Sequence, residues 1–310
     1  MTQEYKIAVI GIGGVGGYVG AKLAAHYHGT DNVKIIFFAR GENEAAIKNN
    51  GLKLITGNEE IICQPSVVTS VVEEIGQADL IICCVKNYNL DESIRLLKPA
   101  VKQSTIFLPL LNGLDAPQKI KKIYPYATVA DGCIYLVARL IAPGIVQQFG
   151  NTNQLWFGMS GKRNADFEMI ESVISAAGIN VAYTQEIEQV CWEKYFLIST
   201  IATLTSYLDA SIGDVLNNGN YKEMLLGLMG ELLQTAIANG VTLPVDIVEK
   251  TISKLSAMPY ASITSMHADF KKGNFTELSS LTGYVVSLAR QYHISAPYYT
   301  KMFATLSQKN

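Results

Sequence analysis

A glycine-rich turn near the start of the chain constrains the fold more than any other feature of the sequence. The segment Gly11–Gly16 has the pattern G-x-G-x-x-G, and it follows the apolar run Ile7–Ile10 and opens a helical pattern through Leu23–Ala25. The motif alone is a weak signal, but a strand before it and a helix after it are the context of a dinucleotide-binding turn. We therefore predict a βαβ unit whose helix N-terminus binds a pyrophosphate. The alternative is a glycine-rich turn with a structural role only.

Three of the glycines have different expected tasks. Gly11 permits the tight turn, Gly13 lets the backbone approach the pyrophosphate, and Gly16 lets the helix pack on the strand. The whole turn is expected to contact the cofactor through Gly11, Ile12, Gly13, Gly14, Val15 and Gly16.

The end of the second predicted strand distinguishes the two nicotinamide cofactors. An acidic residue there would bind the ribose 2′-hydroxyl of NAD. This chain has Phe38-Ala39-Arg40-Gly41 instead, and the first acid is Glu42. Because Arg40 can pair with a 2′-phosphate, the sequence favours NADP(H). The alternative is an exposed arginine on a loop.

Two further strand ends carry polar residues. Lys86 follows the apolar run Leu80–Val85, and Asn112 follows the run Thr105–Leu111. Ligands of doubly wound sheets bind beyond the carboxyl ends of the strands, so Lys86 and Asn112 are candidates for contacts with cofactor or substrate. Either could equally be an ordinary turn residue.

The organisation of the chain changes at about residue 185. Before that point, short β-rich runs alternate with helical spacers, including a hairpin from Leu52–Ile55 and Ile61–Cys63. The later strands crowd together, as expected if the edge of the sheet becomes antiparallel. After that point, apolar residues recur at spacings of three and four. We predict an α/β Rossmann-like doubly wound domain over residues 1–184, which binds NADP(H), and an all-α substrate and catalytic domain over residues 185–310.

Composition excludes several classes of protein. The 310 residues carry 25 basic and 27 acidic side chains, a formal net charge of −2, which argues against nucleic acid as a partner. We find no uncharged apolar stretch of ~18 residues, so no transmembrane helix is expected. The 5 cysteines include no Cys-x-x-Cys pair, and the 4 histidines lack metal-ligand spacing, so we expect neither a disulfide framework nor a metal site. A cytoplasmic protein fits this cysteine usage.

Three blocks in the helical half complete a recognisable pattern. They are the W-x-K of Trp192–Lys194, the S-M-x-x-D of Ser265–Asp269 and the G-x-x-T-E of Gly273–Glu277. Together with the glycine turn, Arg40 and the two strand ends, the chain resembles the ketopantoate reductase (2-dehydropantoate 2-reductase) family, within the wider 6-phosphogluconate-dehydrogenase-like group. The resemblance covers nearly the whole length.

This resemblance implies an activity and a set of roles. The activity is the NADPH-dependent reduction of a 2-oxo acid, ketopantoate to pantoate, in pantothenate and coenzyme A synthesis. Lys194 would be the general acid, Glu277 would contact ligand or cofactor, and Ser265 would bind substrate. Asn112 would touch both cofactor and substrate, and Lys86 and Ala138 match cofactor contacts. From spacing alone, Lys194 could be a surface lysine of an amphipathic helix and Glu277 an acid at a helix N-terminus.

The pattern departs from the family at the substrate pocket. Where ketopantoate enzymes carry asparagines that contact the substrate, this chain has Ile198, Ala202 and Ile212. Hydroxyls of Ser199, Thr203 or Thr205 could substitute from neighbouring positions. The alternatives to ketopantoate reduction are therefore a related NADPH-dependent reductase of a less polar 2-oxo acid, and a non-catalytic sensor of NADP(H). By analogy with the family we also expect a homodimer through the helical half, unless its apolar positions form only its own core.

Overall fold

The computed structural model describes residues 4–161 and 165–309. It divides into two compact units. The first runs up to Leu111 and from Ala116 to Ile187, and the second consists of Asn112–Asp115 and the chain from Glu188 onward. The expected change at residue 185 lies close to this boundary, but the place of Asn112–Asp115 in the helical unit was not expected.

The first unit contains the strands and five α-helices of the described chain. The strands are β1 (Tyr5–Ile10), β2 (Val33–Phe38), β3 (Leu52–Thr56), β4 (Glu59–Cys63), β5 (Val67–Thr69), β6 (Ala78–Cys83), β7 (Val101–Pro109), β8 (Thr128–Val129), β9 (Asp131–Ala142), β10 (Ile145–Gly158) and β11 (Asn180–Tyr183). The helices are α1 (Gly14–His26), α2 (Gly41–Asn50), α3 (Leu90–Leu96), α4 (Ala116–Ile123) and α5 (Ala165–Ala176).

Six of these strands form a parallel sheet in the order β5-β2-β1-β6-β7-β8. This is the strand order of a Rossmann fold, in which the order reverses beside the first strand. Alternate residues of β1 supply two separate cores: Ile7 and Val9 pack with α1, and Ala8 and Ile10 pack with α3 and α4. The predicted doubly wound α/β sheet is therefore confirmed.

The adjacent cysteines behave as the strand period requires. Cys83 lies in the core on the α3 side of the sheet, while Cys84 packs against the core on the α1 side. Burial raises the pKa of the Cys83 thiol to about 12, so this thiol stays protonated and is unreactive at neutral pH.

The later strands form a second sheet, not an antiparallel edge of the first, and that expectation was wrong. The order is β11-β10-β3-β4, with β9 also paired to β10. The predicted hairpin is confirmed as β3 and β4, but β3 also pairs in parallel with β10, from a distant part of the chain. That pairing leaves no local signal in the sequence.

Helices are the regular secondary structure in the described residues of the second unit. Its helices are α6 (Ile187–Leu208), α7 (Ile212–Asn217), α8 (Gly219–Ala238), α9 (Ile247–Ser256), α10 (Ser265–Lys271), α11 (Tyr284–Gln291) and α12 (Pro297–Ser307). A π-helical turn, Ser279–Gly283, leads into α11. Helices α7 and α12 were not predicted from the sequence, although the capping box of Ser211 and Asp214 marks the start of α7 and Pro297 marks the start of α12.

Over the described ranges 4–161 and 165–309, none of the helices combines the length and the apolar character that crossing a membrane requires. The cytoplasmic location and the homodimer stay predictions.

Candidate active site

In the glycine turn of the first unit, there is free space beside the backbone at Gly13. Gly11 has a φ of +90°, which a residue with a side chain rarely adopts. Around Gly13, a Cβ atom would meet nothing within 4 Å. Helix α1 begins at Gly14 with no side-chain cap and no acidic residue in its first turn. The N-terminus of α1 is thus suited to an anion that approaches Gly13 closely.

At Gly14 and Gly16, neighbouring backbone atoms leave no room for a side chain. A Cβ on Gly16 would collide with the carbonyl of Gly11, and one on Gly14 would collide with the carbonyl of Ala138. Gly16 therefore permits the close packing of α1 on the turn. The main chain of Ala138 on β9 packs against the turn at Gly14. Ile12 is buried, and Val15 is half-buried. This backbone arrangement fits the pyrophosphate of a dinucleotide.

Two cationic side chains follow the strands that flank β1. Arg40 is the second residue after the end of β2, and Lys86 is the third residue after the end of β6. Since β2, β1 and β6 are parallel neighbours, the glycine turn, Arg40 and Lys86 share the carboxyl-end edge of the sheet. All three elements lie in the first unit.

Among the described residues, Arg40 makes weak contacts with Phe38 and Glu92. Its guanidinium carbon lies 5.4 Å from the centre of the Phe38 ring, and its Nη1 lies 3.9 Å from Oε1 of Glu92. The side chains of Arg40 and Glu92 are 52% and 71% exposed, so this ion pair stabilises the fold little. The Arg40 side chain can reorient towards a phosphate at small cost.

The second unit brings three predicted site residues together. Nζ of Lys194, on α6, donates to Oδ1 of Asn112 at 3.2 Å. Nδ2 of Asn112 donates in turn to Oε2 of Glu277 at 3.3 Å. Because an ammonium only donates and a carboxylate only accepts, the Asn112 amide fits in one orientation only. We call these three residues the Lys194 relay. Lys194 and Asn112 are 82 residues apart in the sequence, and Asn112 and Glu277 are 165 residues apart.

Burial and hydrogen bonding fix the Lys194 ammonium group in position. Glu277 is 6% exposed and lies immediately before the helical segment that begins at Leu278. Lys194 and Asn112 are half-buried. A buried carboxylate needs hydrogen-bond donors, and the Asn112 amide supplies one while it orients the lysine. The relay can therefore present an ammonium at a fixed position, which is what a general acid requires.

The chain matches two family models that together cover most of it. One, described as ketopantoate reductase PanE/ApbA, matches residues 7–162, and the other, described as ketopantoate reductase PanE/ApbA C terminal, matches residues 186–310. The crystal structure of 2-dehydropantoate 2-reductase from Porphyromonas gingivalis W83 has a TM-score of 0.87 and 31% sequence identity, covering 98% of this chain and 100% of that one. The chain belongs to the ketopantoate reductase family. It is accordingly an oxidoreductase that acts on a CH–OH group.

Two other relatives show how broad this likeness is. An uncharacterized oxidoreductase, YkpB of Bacillus subtilis (strain 168), is 26% identical over 302 residues, 97% of each chain. The ternary structure of D-mandelate dehydrogenase with NADH and anilino(oxo)acetate has a TM-score of 0.86 and 23% identity, covering 98% of each chain. This second likeness shows the fold alone. The family fold therefore does not by itself select the oxo acid.

The face of α6 that carries Lys194 is apolar beyond the lysine. Ile198 and Ala202 follow Lys194 at four-residue intervals, so they lie on the same face of α6. Ile198 is half-buried, and Ala202 is 3% exposed. These are two of the positions where the family pattern has asparagine. The third, Ile212, is a buried residue at the start of α7.

The hydroxyls that could have replaced those asparagines are bonded to other partners. Ser199 Oγ donates to the carbonyl of Leu281 at 2.6 Å, and the Thr203 and Thr282 hydroxyls are 2.7 Å apart. The Thr205 hydroxyl donates to the carbonyl of Ile201 at 2.8 Å. All three α6 side chains are buried. The Ser199 and Thr203 bonds join α6 to the π-helical turn, and the Thr205 bond lies within α6.

Ser265 follows Thr264, whose hydroxyl lies 3.2 Å from that of Thr205. It is the exposed first residue of α10, directly after the capping residue Thr264. Its role as a substrate ligand stays a prediction. In the described ranges, no three potential metal-ligating side chains cluster.

One residue that supports the glycine turn was not identified from the sequence. Asn43 on α2 donates to the carbonyl of Ile12 at 2.8 Å and accepts from the backbone N–H of Gly144 at 2.8 Å. It thereby ties the glycine turn to the β9–β10 hairpin. Its position three residues after Arg40 could have drawn attention to it, but an exposed-looking G-E-N-E segment gives no stronger signal.

Proposed function

We propose that the protein is an NADPH-dependent ketopantoate reductase that forms pantoate, the step that serves pantothenate and coenzyme A synthesis. The observation that carries this proposal is the Lys194 relay, within a chain that belongs to the ketopantoate reductase family. A protein that only sensed the nucleotide would have no need of a lysine fixed in this way.

The proposed division of labour follows the two units. NADPH, when bound, supplies the hydride to the ketone carbon of the oxo acid. The glycine turn holds the pyrophosphate, Arg40 pairs with the 2′-phosphate, and Lys86 adds positive charge at the same sheet edge. Nζ of Lys194 donates a proton to the ketone oxygen, where negative charge develops. Asn112 and Glu277 keep that ammonium oriented.

Turnover with ketopantoate tests the proposal. Purified protein is mixed with NADPH and a panel of 2-oxo acids, and the fall in NADPH absorbance is followed. We expect ketopantoate to give the highest kcat/KM of the panel. Tight NADPH binding without oxidation by any oxo acid would contradict a reductase function.

Arg40 is expected to set the preference for NADPH over NADH. Arg40→Ala should weaken NADPH binding by about 10- to 100-fold, since a charge-assisted contact to the 2′-phosphate contributes ~1.5–3 kcal/mol. NADH binding, measured by fluorescence titration, should change by less than about twofold. In the control Glu92→Gln, the carboxylate beside Arg40 is removed, and NADPH binding should stay equal or improve. Equal losses for both cofactors in Arg40→Ala would refute the role.

A second candidate function is the reduction of a less polar 2-oxo acid by the same residues. The observation that favours it is the apolar Lys194 face, formed by Ile198 and Ala202, with the nearby hydroxyls bonded internally. Ketopantoate carries a hydroxyl group, and a pocket built without a polar partner gives little discrimination in its favour. A 2-oxo acid with an alkyl or aryl side chain would fit such a face better.

Ile198→Asn with Ala202→Asn separates the two candidates. If the apolar face selects the substrate, the double variant should shift the ratio of kcat/KM for ketopantoate over an alkyl 2-oxo acid of similar size by ~10-fold towards ketopantoate. The control Ile198→Leu keeps the face apolar and should leave the ratio unchanged. A wild-type enzyme that already prefers ketopantoate clearly would remove the second candidate.

A further inference from the structure

The chain after Glu277 forms a π-helical turn, Ser279–Gly283, before α11. A π turn departs from the regular i→i−4 hydrogen-bond ladder and is often found at functional sites. Here the turn begins two residues after the carboxylate of the Lys194 relay. The side chains that stabilise this turn therefore affect the position of Glu277.

Hydroxyl groups from one face of α6 contact the π turn. Tyr195, Ser199 and Thr203 are spaced by four residues, so they lie one above the other along the helix. The Tyr195 hydroxyl is 2.9 Å from the carbonyl of Ser280 and 2.8 Å from that of Leu281.

The second hydroxyl of this face continues the network. Ser199 Oγ donates to the carbonyl of Leu281 at 2.6 Å. Ser199 Oγ is also 2.8 Å from the Tyr299 hydroxyl. Because the single proton of Ser199 goes to the Leu281 carbonyl, the Tyr299 hydroxyl donates to Ser199.

This network lies in a dry part of the helical unit. Tyr195 is 1% exposed, and Ser199 and Tyr299 are fully buried. Burial raises the pKa of Tyr195 well above its usual range, so its hydroxyl remains a proton donor at physiological pH. Carbonyls in such a place have no water to replace a lost partner, which makes these bonds decisive for the turn.

The held turn is joined to Glu277 through its backbone. The carbonyl of Glu277 accepts from the N–H of Leu281 at 2.9 Å and from Oγ of Ser280 at 3.1 Å. Ser280 and Leu281 are the residues whose carbonyls Tyr195 binds. Lys194 is the residue before Tyr195 on α6, so one helix positions both ends of the Lys194 relay.

We propose that Tyr195 and Ser199 are positioning residues that act through the π turn to hold Glu277 against Asn112 and Lys194. The catalytic part of this claim rests on the proposed function, whereas the structural part does not. Neither residue touches the reacting atoms by this account. Their effect on catalysis passes through Glu277.

Hydrogen exchange tests the structural part without any substrate. In Tyr195→Phe, which keeps the ring and removes the hydroxyl, amides of residues 278–284 should exchange about 5- to 10-fold faster than in the wild type. In the control Tyr124→Phe, a buried tyrosine loses a 2.6 Å hydrogen bond to the carbonyl of Ile94 in the first unit. That variant should leave exchange over 278–284 unchanged. Unchanged exchange in Tyr195→Phe would overturn the proposal.

A double-mutant cycle tests the catalytic part with the best oxo acid found for the wild type. Tyr195→Phe should lower kcat about 10-fold, with KM for NADPH within about twofold, and Ser199→Ala should act in the same direction. In a Glu277→Gln background, Tyr195→Phe should lower kcat by less than about twofold, because the group it positions is already lost. An equal loss in both backgrounds would indicate a merely structural role and refute the proposal.

A matched control lies next to Ser199 on the same helix. Thr200 is fully buried, and its hydroxyl donates to the carbonyl of Phe196 at 2.8 Å, with the carbonyl of Leu197 at 3.2 Å, both within α6. Thr200→Val should therefore leave kcat and the exchange of residues 278–284 unchanged. A wild-type protein with no turnover would overturn the proposed function instead, and the exchange experiment would still decide whether α6 holds the π turn.

Discussion

Lys194→Ala is expected to lower kcat by ~10²-fold or more, because the ketone oxygen loses the group that supplies its proton. The residual rate reflects protonation by water. NADPH binding should change by less than about twofold, since the predicted cofactor residues of the first unit are intact. Steady-state kinetics with the best oxo acid, and a fluorescence titration with NADPH, measure the two effects separately.

The control for this variant is an exposed lysine of the same unit. Lys222 on α8 is exposed, and Lys222→Ala removes the same charge from the helical unit. It should retain wild-type kcat. A Lys194→Ala variant with near-wild-type turnover would contradict the role of Lys194 as the acid. A nucleotide sensor without catalysis would show no turnover in any of the three proteins.

Gly13→Ala is expected to weaken NADPH binding by ~10²-fold or more while the free energy of unfolding stays within about 0.5 kcal/mol of wild type. The φ of Gly13 is −96°, a value open to residues with a side chain, and its Cβ would meet nothing within 4 Å. The protein itself therefore tolerates the methyl group. A pyrophosphate that approaches the backbone at this position does not. Denaturant unfolding and an NADPH titration measure the two quantities.

Gly230→Ala provides the matched control for Gly13→Ala. Gly230 lies within α8, and its Cβ would also meet nothing within 4 Å. Alanine in the middle of a helix should raise the free energy of unfolding by about 0.5–1 kcal/mol and leave NADPH binding unchanged. Equal NADPH affinities of wild type and Gly13→Ala would contradict the placement of the pyrophosphate at this turn.

The sheet and the glycine turn could be predicted because their signals are local. A strand followed by G-x-G-x-x-G is contiguous in sequence, and apolar runs such as Leu80–Val85 mark strands that are buried on both faces. The second sheet depends on pairing between β3 and β10, whose partners lie about ninety residues apart, such as Lys53 and Ile145. No periodicity in either segment specifies that partner.

The candidate site shows the same limit. Lys194, Asn112 and Glu277 could each be named from motifs and family resemblance. The bonds that join them connect three separate parts of the chain, so neither the order of the relay nor the single fit of the Asn112 amide could be read from sequence. The π turn was missed for a physical reason. Its hydrogen bonds span one residue more than those of an α-helix, and its stabilising hydroxyls lie on another helix.

Transfer of deuterium tests the central claim most directly. NADPH that carries deuterium at its transferable position is incubated with wild-type protein and the best oxo acid of the panel. The mass of the hydroxy acid product is then measured by mass spectrometry. The account predicts one deuterium per product molecule, bound to the former ketone carbon. A hydroxy acid product without deuterium, or NADPH that binds and is never oxidised, would contradict it.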